Sequence, residues 1–225
     1  VTKGRPDDGA MRGLIGLSLV FLILAPILPA GAASFTVEGL TFSDELGGFR
    51  LIAVTGTGRL EDPFVVVEEI GSQGPAILQI TGLRSTFGNR CATQHLTGFA
   101  MTKIVRNLSN QAWHDFRMEL RETEERSSPY GDGLSFGQGA AGRTVTSSNF
   151  GQIRAIDEPY DGLTFEDGFV PPGASADFHF LITDETPSMR ILLVQDLSPP
   201  SASLQPPRPT PWPHPMLAQR PAPVP

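Results

Sequence analysis

KIVRNLSNQAWHDFRMELRE, residues 103–122, is the stretch that decides the fold of this chain. A short apolar strand ends in a polar turn, Asn107 to Gln111, and a strictly alternating run follows. His114, Phe116, Met118 and Leu120 fall on one side of that run, and Trp113, Asp115, Arg117 and Glu119 on the other. A period of two predicts a strand of an antiparallel sheet, with one face on the core and one toward solvent. Asn107 and Asn110 suit the turn, because Asn side chains bond to nearby backbone and tolerate left-handed geometry. Trp113 brings a large apolar body whose N–H wants an acceptor when buried. Asp115 is placed to accept from the turn's N–H groups or to pair with Arg117 or Arg106.

Outward from this stretch the same punctuation repeats. Upstream, Phe35–Val37, Thr41–Phe42 and Phe49–Val54 read as strands cut by Gly47-Gly48 and Gly56. Phe64 to Ile70 follows the Asp62-Pro63 turn and reads as a β-branched strand buried on both faces in its first half. Ala76–Ile80 and Thr97–Val105 continue the series, with Phe99 and Met101 on one side and Lys103 in the same phase. Downstream, residues 123–142 read as one long loop, of the kind usually functional or mobile. Gln152–Ile156, Leu163–Phe165, Ala176–Ile182 and Met189–Gln195 then return to strand. No helical stripe with caps occurs between Ser34 and Asp196, and no repeat of fixed period. The expected fold is therefore all-β: one antiparallel two-sheet β-sandwich, Ig-like or jelly-roll-like, over residues 34–198.

The two ends read differently. Met11-Arg12, the apolar run Leu14–Ala25, two prolines and the small residues Ala30 to Ala33 have the form of a secretory signal helix, with residues 1–33 as leader. Ala30 and Ala32 fit the small-x-small cleavage rule, and Val1–Ala10 reads as an over-extended frame ahead of the true start at Met11. The apolar run is short against the about 20 residues a bilayer span needs, so no stable membrane anchor is expected after cleavage. Residues 199–225 are so rich in proline that they read as a disordered or polyproline II tail. A periplasmic or extracellular location follows from the leader.

Charge and cysteine narrow the chemistry. The chain carries 17 Lys and Arg against 24 Asp and Glu, a net charge of −7, and losing the leader makes it one charge more negative. Such a surface repels phosphate backbones, which excludes nucleic acid as a partner. Cys91 is the only cysteine, so no intramolecular disulfide and no cysteine-based zinc or iron–sulfur site can form, and a buried, inert thiol is expected.

The segment from Val105 to Leu120 resembles a strand motif of uncharacterised exported bacterial β-sandwich proteins, V-x-N-x-(S/T)-x-x-x-W-x-D-F-x-x-x-L. Val105, Asn107, Ser109, Trp113, Asp115, Phe116 and Leu120 match it. The segment from Phe165 to Phe180 is similar to later strands of those proteins, many of which carry a C-terminal sorting anchor. The resemblance implies a sandwich fold and an exported location; it supplies no reaction. After its proline region this chain shows neither the apolar span nor the basic cluster of such anchors.

Several chemistries can be weighed on the residues. GLSFG, around Ser135, has the letters of a nucleophile elbow, but a loop precedes it and glycines follow, so the strand–turn–helix context is missing. His95, His114 and His179 have no partners fixed by spacing. Glu68 and Glu69 point to opposite faces and read as solvated strand charges; a glycosidase would need Glu69, Glu119 or Asp132 to converge across a cleft. Calcium is a more serious candidate, because hard cations take several loop oxygens, and Asp132, Asp157 and Asp161 lie in acidic, Gly-containing turns. Their spacing matches neither an EF-hand nor a repeat-in-toxin nonapeptide. Asn107-Leu108-Ser109 has the letters of a glycosylation acceptor, and the turn accounts for it. The expected function is a non-catalytic exported module that binds a surface, glycan or protein partner through Tyr130, Asp132, Tyr160 and Asp161, with a hydrolase on a jelly-roll-like sandwich as the alternative.

Overall fold

The structure, a computed structural model, describes residues 31–197 apart from 73 and 138–143, and only the backbone of Tyr130. The leader through residue 30 and the proline-rich stretch from residue 198 lie outside the described residues. Thirteen strands and two single-turn 3-10 helices are present, and no α-helix among the described residues.

The strands are β1 (Ser34–Val37), β2 (Leu40–Ser43), β3 (Arg50–Thr55), β4 (Phe64–Ile70), β5 (Ala76–Thr81), β6 (Thr97–Asn107) and β7 (Phe116–Thr123). They continue with β8 (Arg126–Ser127), β9 (Leu134–Phe136), β10 (Phe150–Ile156), β11 (Gly162–Gly168), β12 (Ser175–Asp184) and β13 (Arg190–Asp196). One sheet has the order β1-β2-β5-β13-β7-β11-β10, with β8 on the end of β7; the other is β3-β4-β6-β12-β9. Apolar residues from both sheets form one core, the construction of a β-sandwich.

The turns explain the strand ends. Glu38 and Gly39 both have positive φ, the requirement of a two-residue hairpin turn, and Val37 pairs with Leu40 across it. At the end of β3, Gly56 has φ +90° and a Cβ there would lie 2.0 Å from the Pro63 carbonyl oxygen, so only glycine fits. Asp44 ties the first hairpin down: its carboxylate accepts from the Ala33 N–H at 2.6 Å and the Leu51 N–H at 2.8 Å.

Inside, aromatic rings join the sheets. Phe178 of β12 lies 4.6 Å from Phe116 and 4.7 Å from Phe165 across the sandwich, ring centre to ring centre. Toward the other side Phe42 meets Phe64 at 5.3 Å. Each such ring stabilises by about 1.5–3 kcal/mol through burial, and the edge-to-face pairs Phe165–Phe178 and Phe42–Phe64 add about 0.5–1.5 each.

Four expectations are corrected. The sandwich is not wholly antiparallel: β4 and β6 run parallel, Phe64 beside Met101 through Ile70 beside Asn107. The chain visits the other sheet as β5 before returning, so β6 re-enters in the direction of β4. Second, β4 is buried on one face only, Val65 and Val67 being half-exposed. Third, Trp113 does not oppose Phe116. It bridges Val170 outside β7, and the irregular residues His114 and Asp115 reset the phase, so Trp113 is buried 5.8 Å from Phe116. His114 and Asp115 are exposed, and His114 packs 5.6 Å from Phe169. Fourth, the long loop after β7 contains β8, a 3-10 turn at Tyr130–Asp132, and β9.

Asn107 holds the deciding turn. It is fully buried; Nδ2 donates to the carbonyls of Gln111 (2.8 Å) and Val170 (3.0 Å), and Oδ1 accepts from the Ser109 N–H (2.9 Å) and hydroxyl (2.7 Å). All four hydrogen-bonding positions of one amide are thereby used.

Candidate functional site

A concave site lies on the outward face of the larger sheet, where β5, β13, β7 and β11 run side by side. Strand register builds it in rows. Thr164, Arg117 and Asp196 form one row, and Gly162, Glu119, Val194 and Ile77 the next. Arg121 continues the β7 side, and Tyr160, Pro75, Glu124 and Ser127 raise the walls. The groove encloses about 400 Å³. Its floor is fixed by backbone ladders, so these side chains have little freedom to move apart.

Gly162 has a specific part in this. A Cβ at that position would lie 2.8 Å from Cε2 of Tyr160, so the missing side chain lets the tyrosine ring lie down over the strand. Glu119 is clamped: Arg121 donates to both carboxylate oxygens, at 2.8 and 3.0 Å, and the Ser127 hydroxyl donates to Oε1. The same arginine reaches the Glu124 carbonyl at 2.7 Å and closes the β7–β8 hairpin against the groove. Arg117 has no ion-pair partner among the described residues, so its guanidinium is available to a ligand.

The residues singled out from sequence separate. Tyr160 lines the groove. Asp161, its neighbour, is buried, with its backbone N–H donating to Ser128 (2.7 Å) and its carbonyl accepting from Leu120 (3.0 Å). Asp132 closes the turn into β9, accepting from the Ser128 hydroxyl at 2.9 Å and the Leu134 N–H at 3.0 Å. Asp157 is half-buried just past β10, and the side chain of Tyr130 lies outside the described residues. Among the described residues no group of three or more His, Cys, Asp or Glu side chains is arranged to hold a metal ion.

The carboxylates considered for hydrolysis do not meet. Glu69 lies on the smaller sheet, bound by Arg50 and 3.5 Å from Arg106; the Arg50 hydrogen bond holds its carboxyl below the usual range. Glu119 is in the groove and Asp132 in the turn before β9. Ser135 is buried within β9. His179 bonds to Thr102 (2.9 Å) and Asp177 (3.1 Å) on the outer side of β12. Cys91 is buried and desolvation raises its thiol pKa, which leaves it unreactive.

Two features were missed from sequence. Arg117, Glu119 and Arg121 alternate on one strand, which already placed them on one face; their neighbours Thr164, Val194 and Asp196 come from distant strands. Glu68 is not a solvated charge. It is fully buried with Lys103, in phase with Phe64, Val66 and Ile70, a phase that could have revealed it. Comparison with family models, with curated proteins and with solved structures gave no match for this chain.

Proposed function

We propose that this protein is an exported, non-catalytic β-sandwich module that binds a partner glycan in the groove on its larger sheet. One observation carries this reading: a tyrosine ring lies beside a threonine, carboxylates and an arginine with no ion-pair partner among the described residues, on a rigid floor. Sugars present an apolar ring face and a rim of hydroxyls, which suit an aromatic platform and fixed, charged hydrogen-bonding groups. Arg121 and Ser127 hold the Glu119 carboxylate in place, where its remaining lone pairs face the groove and suit sugar hydroxyls.

Export rests on the leader sequence, and one contact supports it. Cleavage after Ala32, which the Ala30-x-Ala32 pattern marks, would end the leader one residue earlier and leave the Ala33 nitrogen as an ammonium beside the Asp44 carboxylate, turning a neutral bond into a charge-assisted one. Consecutive strands repeatedly change sheet from β5 onward, which favours the jelly-roll-like form of the sandwich over the Ig-like one. No helix among the described residues is long and apolar enough to cross a membrane.

The test is a glycan array with the purified full chain, followed by titration of any hit against Tyr160→Ala and Arg117→Ala. Binding that falls at least about tenfold in both variants, the loss of about 1.4 kcal/mol, supports the groove. Binding unchanged in both variants removes the groove from the function, and an array without hits overturns the glycan reading.

A further inference from the structure

Three polar side chains meet between the two sheets, and the groove uses none of them. Lys103 of β6 and Glu68 of β4 are both 0% exposed, and the Lys103 ammonium group donates to Glu68 Oε1. The other carboxylate oxygen accepts at 2.9 Å from Nε2 of Gln195, which is 1% exposed and comes from β13 in the opposite sheet. Gln195 Oε1 has no hydrogen-bond partner among the described residues. Glu68 fixes the orientation of this amide, since the flipped form would set Oε1 against an anion.

As a plain ion pair this arrangement is poor. Desolvation costs several kcal/mol per ion, recovered only when every remaining donor finds an acceptor. An ammonium has three donors, and one acceptor is supplied to Lys103 among the described residues. Burial drives the Lys103 pKa down, with the charge of Glu68 working against it. Burial thus works toward the neutral amine, the nucleophilic form of lysine.

We infer that Lys103 and Gln195 form an autocatalytic cross-link, an amide from Lys103 Nζ to Gln195 Cδ, with Glu68 as the proton carrier. The geometry supplies the carrier: one carboxylate touches the attacking nitrogen through Oε1 and the departing nitrogen through Oε2. Lys103 first passes one proton to Glu68, and the freed amine adds to Cδ. Glu68 gives its proton to Nε2 as the Cδ–Nε2 bond breaks, and takes the surplus proton from Nζ. Ammonia leaves with that last proton as ammonium, Glu68 ends as it began, and no oxidant, metal or cofactor is consumed. The product joins β6 to β13, one strand from each sheet, and closes the long loop between residues 103 and 195 covalently.

Mass spectrometry of the denatured full chain tests this. The expected result is an intact mass one ammonia below that of its sequence, and a branched tryptic fragment joining the segments that hold Lys103 and Gln195, uncut after Lys103. Glu68→Gln, which keeps the shape and removes the carrier, is expected to show the full mass and linear fragments. Linear wild-type fragments cut after Lys103 overturn the inference without any variant having to fold. Loss of one water, with Lys103 joined to Glu68, also overturns it, because that bond would lie within one sheet and leave Gln195 unreacted.

Discussion

Replacing Asn107 by Asp is the sharpest probe of how this sandwich is held. The change is nearly isosteric, so packing is kept while the hydrogen-bond inventory changes. Asp keeps the two bonds accepted from Ser109, at 2.9 and 2.7 Å. It loses both donors, and sets a carboxylate oxygen against the Gln111 and Val170 carbonyls at 2.8 and 3.0 Å. Each carbonyl keeps a second donor, the Ser109 hydroxyl for Gln111 (3.0 Å) and the Trp113 N–H for Val170 (3.0 Å). The loss is therefore two hydrogen bonds at about 0.5–1.5 kcal/mol each, about 1–3 kcal/mol before the carboxylate–carbonyl repulsion is counted. Set against a total stability of about 5–15 kcal/mol, that is a sizeable fraction. At about 2–4 °C per kcal/mol for a domain of this size, the melting temperature falls by roughly 6 °C. Burial raises the carboxyl pKa of the new aspartate, so the folded variant binds its proton more tightly than the unfolded chain does. The penalty is therefore largest above that raised value and shrinks as pH falls through it toward about 3.9. Urea unfolding at pH 7 and pH 4.5, followed by tryptophan fluorescence, measures both effects. A variant within about 0.5 kcal/mol of wild type at pH 7 would refute the claim that this amide holds the turn to Val170.

Other expectations follow from single positions. Gly56→Ala forces a Cβ to 2.0 Å from the Pro63 oxygen at φ +90°, and a loss above about 2 kcal/mol is expected in thermal unfolding; a neutral result would mean the β3–β4 turn can rearrange. Asp184 is buried, and burial raises its carboxyl pKa above the ordinary 3.8 while the Ser188 and Thr186 N–H groups pull it down. The folded state then holds more protons than the unfolded state between 3.8 and that raised value, so this group's contribution to stability rises as pH falls through the window. Asp184→Asn should flatten that part of the stability–pH curve, and an unchanged slope would show that the curve has another source.

The local readings that succeeded are those in which neighbouring residues carry the whole signal. Alternation at Phe116, Met118 and Leu120, and again from Ala176 to Ile182, follows from the two-residue period of a strand with one buried face. The all-β class and most strand positions were legible for that reason, and so was the Asn107 turn, whose four bonds involve its own loop and one distant carbonyl. The same reasoning failed at Trp113, where irregular backbone at His114 and Asp115 reset the phase; pairing with Val170, far along the chain, decided that. Parallel pairing of β4 with β6 was equally hidden, because a strand's pattern says which face is buried and nothing about the direction of its neighbour. Tyr160 could be named from sequence, while the groove beside it could not: Thr164, Arg117 and Asp196 share a row only through two antiparallel registers. Glu68, Lys103 and Gln195 make the point most fully. Each stands in phase with apolar neighbours, so each could be placed inward from the sequence by itself. Only the facing of two sheets brings the carboxylate, the amine and the amide together, because contact across a sandwich depends on sheet order and register, which no local stretch encodes.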